Sequence, residues 1–382
     1  MRVWQAAVIG AAFALVTGCG DSTEDGGSEE GGGGVEPGPA ERFLYEVLAL
    51  DQAATPPTVT FRVVDPTNGN RPYDIDADAP FTAQGAGLTM FLAWPSNEYT
   101  NDGVGTGLGQ PKRIALLTAN PPRNADGSYT LSLTGPNAVT LPTTGTITVE
   151  LEGHPVVDGE NVPVTTEVEY FGAGTSAAEP RRVVVDTQKC NTCHAGLHGL
   201  PWLSAHGENR NNNVQACVIC HNPSATDKAR ADAAAGGPKD DTSIDMKWMI
   251  HVIHAQGMRR EPVTIYGFGN PPAAHQFPAI SNMACVTCHT NETQRTRERP
   301  DGVSVEAWDT TVDANAYAVI ADNVRIPGMV AACTSCHDKV CFTNSALTPC
   351  VAGDRNPAAG CYHPVGLPLS GSCTGCHDNV HQ

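Results

Sequence analysis

Between residues 42 and 186 the apolar side chains fall on alternate positions. Val59, Phe61 and Val63 share one parity, and so do Leu88, Met90, Leu92 and Trp94. Tyr129, Leu131 and Leu133 repeat the pattern, followed by Ile147, Val149 and Leu151, then Val183 and Val185. A period of two puts each apolar set on one face of a β-strand. Asp65-Pro66-Thr67-Asn68-Gly69 and Ala125-Asp126-Gly127 punctuate the runs as turns. The pattern predicts a β domain over 42–186, an antiparallel sandwich or split barrel. It contains no Cys and a single His, His154, which beside Gly153 reads as a surface or turn residue.

Two other stretches are patterned. Ala6–Val16 is an apolar run of eleven behind Arg2, too short to span a bilayer and suited to a signal peptide over 1–18. It ends in Leu15-Val16-Thr17-Gly18-Cys19, which resembles a bacterial lipobox with Cys19 as the lipidated residue. Gly20 after that Cys matches outer-membrane sorting in other bacterial lipoproteins. Residues 19–41, rich in Gly, Glu and Asp, read as a flexible linker behind the lipid anchor. Near Gln188 strand periodicity fades, and the next patterned run is Asp245–His254, a helix begun by Asp241, Thr242 or Ser243.

Composition changes at the same point. From Cys190 to the end there are thirteen Cys and twelve His. Ten of the Cys form five Cys-x-x-Cys-His motifs: Cys190, Cys193, His194; Cys217, Cys220, His221; Cys285, Cys288, His289; Cys333, Cys336, His337; Cys373, Cys376, His377. Chance would supply such a pentapeptide roughly 0.02 times in a chain of this composition, so the repeats are functional. Each reads as a c-type haem attachment site. Two thiols on one turn of a short helix form thioethers to one porphyrin, and the adjacent His is the proximal iron ligand. Zinc ribbons do not need that His in every copy, and a redox dithiol normally occurs once.

Five haems in residues 187–382 leave about 40 residues apiece, too few for a conventional core around each. The haems themselves then serve as the core, wrapped by loops and short helices. The formal net charge is -18, and each ferric haem with two propionates adds about −1. That excludes nucleic acid as a natural partner.

Beyond the five proximal His, this region holds His198, His206, His251, His254, His275, His363 and His381. That is enough to close the sixth position of every iron. His251 and His254, three apart on one helix face, cannot serve the same side of one iron and are assigned to two neighbouring haems.

The C-terminal half resembles the pentahaem domain of the OmcA/MtrC family of outer-membrane multihaem cytochromes. The resemblance rests on Ala205-His206-Gly207-Glu208-Asn209-Arg210 before Cys217 and on the Cys-x-x-Cys-His-Asn-Pro run ending at Pro223. It rests also on Met249-Ile250-His251-Val252-Ile253-His254 and on His275-Gln276-Phe277-Pro278 before Cys285. The β region is similar in placement to that family's Greek-key domain. The resemblance implies bis-His irons with His206, His251, His254 and His363 as distal ligands and His381 as the fifth. His275 and His198 compete, and Met258 or Met283 is the alternative to a His. The chain has one β/pentahaem pair, half of the family's usual decahaem arrangement. The family's Cys-x8-Cys disulfide spacing recurs here only as Cys341 to Cys350, between the last two motifs, with Cys361 left over.

The resemblance implies a surface lipoprotein that relays electrons from porin-associated or periplasmic redox partners to extracellular acceptors such as metal oxides or shuttles. It is not an enzyme, beyond non-specific metal reduction at exposed haems. The alternative is a multihaem reductase of a small oxyanion, which needs one open haem.

Overall fold

A computed structural model describes residues 38–236, 242–259, 263–267, 271–275, 277–279, 284–291 and 293. It adds short pieces at 310–312, 324–326, 331–332, 335–336, 342–344 and 347–351. The strands of the first half are β1 (Leu44–Asp51), β2 (Thr58–Asp65), β3 (Arg71–Pro72), β4 (Gly87–Ala93), β5 (Lys112–Ala115), β6 (Tyr129–Ser132), β7 (Thr146–His154), β8 (Val156–Val157), β9 (Glu160–Asn161) and β10 (Glu167–Gly172). Single-turn helices α1 (Ala79–Thr82) and α2 (Leu116–Ala119) interrupt them.

The strands form two antiparallel sheets. In one, β2 pairs with β1 along one edge and with β3 and β6 along the other. The other runs β10-β7-β4-β5. The alternating residues identified above face each other between the sheets. Val59, Phe61 and Val63 meet Leu88, Met90, Leu92, Tyr129, Leu131, Val149 and Leu151 in one buried cluster.

The opposite face of the second sheet is also covered. Every residue of β7 is buried, including Thr148 and Glu150 at 0% exposure and Glu152 at 6%. Phe91, Ala93 and Tyr99 pack there against Val218, Ile219 and Cys220 of the second Cys-x-x-Cys-His motif. The strand region and the Cys/His-rich region thus lie within one compact unit. An alternating strand normally turns its polar parity to water; here that parity meets a second layer of protein.

Three expectations need correction. Val183 and Val185 do not form a sheet strand: Val183 is exposed, and Val185 makes an isolated bridge to His289. His154 is buried at 7% exposure rather than superficial, because it ends β7 under a loop whose Gly85 carbonyl lies 3.0 Å from its Nε2. Its neighbour Gly153 has φ +139, and a Cβ there would lie 2.1 Å from the Gly87 oxygen, so only glycine fits this crossing. The long helix starts later than expected, at Met246 with Asp245 as its cap. Thr242–Ile244 is taken up elsewhere: Ser243 bridges Thr226, and Ile244 N–H donates to the Ala225 carbonyl.

Candidate functional site

Short capped helices carry the motifs. α3 (Thr187–His194) begins at Asp186, whose carboxylate accepts from the Gln188 N–H at 2.9 Å. α4 (Val214–Cys220) begins at Asn213, whose side chain accepts from the Gln215 N–H at 3.0 Å. Such caps satisfy the orphan donors of a first turn and contribute about 1 kcal/mol each. The third motif sits on the 3-10 turn Cys285–Thr287. α5 (Lys228–Ala233) and α6 (Met246–Ala255) follow α4, and α6 carries His251 and His254.

Three pairs of imidazoles face one another. His206 and His221 have ring centroids 5.9 Å apart, and His251 and His289 6.1 Å apart. His194 and His254 are also 6.1 Å apart. Each pair joins one motif His to one His outside the motifs. A metal–imidazole bond is about 2.0–2.1 Å, and a ring nitrogen lies about 1.1 Å from its centroid. Two imidazoles on opposite faces of one metal therefore hold centroids about 6.2–6.4 Å apart, against about 5.1 Å at a tetrahedral angle. The observed spacings fit trans axial ligation and not a tetrahedral zinc site. Among the described residues no group of three or more His, Cys, Asp or Glu side chains gathers as a metal cluster.

Local chemistry agrees with that fit. The Nδ1 atoms of His221 and His254 donate to the carbonyls of Ile244 at 2.9 Å and Ile250 at 2.8 Å. His289 Nδ1 meets Thr293 Oγ1 at 3.2 Å. A fixed Nδ1–H leaves Nε2 as the ligating atom. Burial, aided by Arg210, lowers His206 to about 3 and His221 to about 4. Burial, with His251 and Lys189, lowers His289 to about 4. All three are neutral at pH 7, the form that binds a metal. Burial also pushes the Cys217 and Cys220 thiols up to about 12, surroundings that suit a neutral thioether sulfur and resist a thiolate. Cys190, Cys193, Cys217, Cys220, Cys285, Cys288 and Cys336 form no disulfide. These donors fit covalently attached haem.

The sheet positions the second motif. His206 lies at the tip of the ribbon between β11 (Ser204–Ala205) and β12 (Arg210–Asn211), at φ 56. The Arg210 guanidinium forms a buried ion pair with Glu152 of β7 and lies 5.4 Å over the Phe91 ring. Asn101 Nδ2 donates to the carbonyls of Gly109 at 2.9 Å and Ile219 at 2.8 Å. Asn222, directly after His221, donates to the same two carbonyls.

The first and third motifs are clamped to each other. Lys189 of α3 donates to the carbonyls of Val286 at 2.8 Å and His289 at 2.6 Å. The Asp186 N–H donates to the Cys288 carbonyl, and the Thr290 N–H to the Val184 carbonyl. α6 spans the same two motifs, since His254 faces His194 and His251 faces His289. Beyond α6, Arg259 donates to the Ser335 carbonyl beside Cys336.

His275, a competing distal candidate, is exposed on the ribbon of β13 (Ile265–Tyr266) and β14 (Ala274–His275). Met258 is half-buried just beyond α6. Cys19, Met283, Cys333, His337, Cys341, Cys361, His363, Cys373, Cys376, His377 and His381 lie outside the described residues, as do the side chains of His198 and Cys350. Sequence reasoning missed Glu150, Glu152 and Asn101, and named Arg210 in a motif without giving it a role. The one available signal was the acidic outward parity of β7, Glu150 and Glu152, in a strand otherwise rich in β-branched residues.

No curated protein matches the chain. Two solved structures are similar at low identity. The crystal structure of the outer membrane decaheme cytochrome OmcA aligns at 17% identity and a TM-score of 0.43, over 79% of this chain and 44% of that one. The crystal structure of MtrC from Shewanella baltica OS185 aligns at 17% identity and a TM-score of 0.40, over 78% of this chain and 40% of that one. The chain thus spans less than half the length of either. Among the described residues no helix is long and apolar enough to cross a membrane. A family model described as outer membrane cytochrome MtrC/MtrF-like, domains II/IV, matches residues 182–382, more than half of the chain, and the chain belongs to that family of outer-membrane multihaem cytochromes.

Proposed function

We propose that the chain carries five covalently attached haems and relays electrons to acceptors outside the cell, held at the outer membrane by a lipid on Cys19. The observation that carries this reading is the set of three imidazole pairs spaced for trans ligation, each combining a motif His with a His from another element. Haem supplies a one-electron couple whose potential is set by its axial ligands and surroundings.

The residues have distinct tasks. Cys190 and Cys193, Cys217 and Cys220, and Cys285 and Cys288 attach three groups. His194 with His254, His221 with His206, and His289 with His251 would hold the iron of each from two sides. Irons held on both sides would leave no site for a substrate at these three positions, which suits a relay. Lys189 and the Asp186–Cys288 contact hold the first and third attachment sites adjacent. Arg210 and Asn101 fix the second against the sheet. The motifs at Cys333–His337 and Cys373–His377, with His363 and His381 as distal partners, rest on sequence alone. Partners are redox proteins that deliver electrons, and acceptors are metal oxides or soluble shuttles.

Protein made with a cytochrome c maturation system tests this. Intact mass is expected to show five haems, and absorption and paramagnetic resonance spectra to show all of them low-spin. A high-spin fraction near one in five would favour an oxyanion reductase with one open haem. Four or fewer haems after full maturation would contradict the five-site reading.

A further inference from the structure

Below the Cys217–His221 motif the sheet presents a carboxyl group that the relay does not use. Glu150 lies mid-way along β7, opposite Phe91 of β4 and Val168 of β10. It is completely buried, and neither of its oxygens has an N–H or O–H donor among the described residues. α4 covers it, with Val218, Ile219 and Cys220 packed on Phe91, Ala93 and Tyr99. A buried carboxylate without donors is strongly disfavoured.

The charged and titratable groups around it are few. Glu152 follows on the same face of β7, and Arg210 reaches in from β12, already paired with Glu152. Cys220 of α4 packs in one cluster with Phe91, the residue that pairs with Glu150 between β4 and β7, so the second motif lies over this part of the sheet. Farther along the face, Tyr99 bonds Thr148 at 3.0 Å, and Tyr170 of β10 faces Thr148 in register. The two carboxyls therefore share one guanidinium, with one negative charge in excess. Burial first, then the Glu152 charge, pushes Glu150 well above the usual carboxylate range, while Arg210 opposes.

We propose that Glu150 is a proton-binding site coupled to the haem held by Cys217 and Cys220, so that electron arrival there is matched by a proton on the Glu150 carboxylate. The inference rests on the relay reading. The balance is simple: the redox partner supplies one electron and ferric iron becomes ferrous; solvent supplies one proton and the carboxylate becomes a carboxylic acid. Both steps reverse when the electron moves on. Loss of one positive charge at the iron raises the proton affinity of a nearby carboxylate, and the low polarity of this layer keeps the two charges coupled.

The test uses haem-loaded protein and the Glu150→Gln variant. Redox-difference infrared spectra of the unmodified protein are expected to gain a carboxylic C=O band on reduction, shifted in heavy water and missing in Glu150→Gln. In potential titrations between about pH 5 and 9, one of the five couples is expected to fall by up to about 59 mV per pH unit. That is a tenfold change in proton concentration expressed for one electron. In Glu150→Gln that slope is lost and the other four couples are unchanged. Identical slopes in both proteins would overturn the inference. So would the absence of a carboxylic band in the unmodified protein, which decides the matter even where the variant fails to fold. Failure of the relay reading has its own signature, a short haem count before any pH is varied, and it overturns this inference as well.

Discussion

Replacing Arg210 by Met tests how the sheet holds the second motif. The substitution keeps much of the aliphatic stem and removes the guanidinium that pairs with Glu152 and lies over Phe91. It leaves two carboxyl groups, exposed 0% and 6%, with no other cation acting on Glu150 among the described residues. Breaking one partner out of a buried pair costs about 3–5 kcal/mol. Protonation caps that penalty. At pH 7 an ordinary glutamic acid takes up a proton at a cost of about 3.7 kcal/mol, and at pH 5 at about 1 kcal/mol. The lost cation–π contact adds about 0.5–2 kcal/mol at either pH. Arg210→Met is therefore expected to lose about 4–5 kcal/mol at pH 7 and about 2 kcal/mol at pH 5. Urea unfolding of haem-loaded protein, followed by circular dichroism, measures both. A further Glu152→Gln change should recover most of the loss at pH 7. A loss that is the same at both pH values, or below about 1 kcal/mol at pH 7, would refute the electrostatic reasoning.

Three other outcomes are expected. Asn101→Ala removes one of the two side-chain donors that the Gly109 and Ile219 carbonyls each have, and the acceptor of the Trp94 N–H, at a residue with φ 51. It should cost about 2–4 kcal/mol, with Asn101→Gly relieving only the backbone part; an unchanged urea midpoint would contradict this. Glu167 is raised to about 7, by burial first and then by the Glu169 and Glu46 carboxylates. The folded state therefore binds the extra proton, and stability should fall as pH rises from about 4.3 towards 7; Glu167→Gln should flatten that slope in pH-dependent unfolding. Cys19→Ser should release the protein from membranes, because the Ala6–Val16 run cannot span; retention of the variant at high salt would contradict lipid anchoring.

The inner face of the sheets was legible because a period of two marks it directly. The parities of Val59, Leu88, Tyr129 and Ile147 are those that fill the core or its edge. β1 and β10 were not singled out, since Leu44 and Leu48 stay exposed and β10 carries Glu167 and Glu169. The buried outer face was not legible. Thr148, Glu150 and Glu152 look like solvent-facing positions until Arg210, 58 residues from Glu152, is brought against them. The Cys-x-x-Cys-His motifs stand out because the chemistry proposed for them is written within five residues. Which imidazole faces which is a tertiary property. Only the spacing of His251 and His254 hinted that one helix would serve two motifs.

The most direct test is carbon monoxide binding by reduced, haem-loaded variants of α6. His251→Ala and His254→Ala are each expected to keep five covalent haems, because thioethers do not depend on the distal ligand. Each should gain about one high-spin, carbon-monoxide-binding haem, and the double variant about two, since His251 faces His289 and His254 faces His194. Variants that stay low-spin and silent to carbon monoxide, or a double variant that gains only one open haem, would contradict the paired-histidine relay.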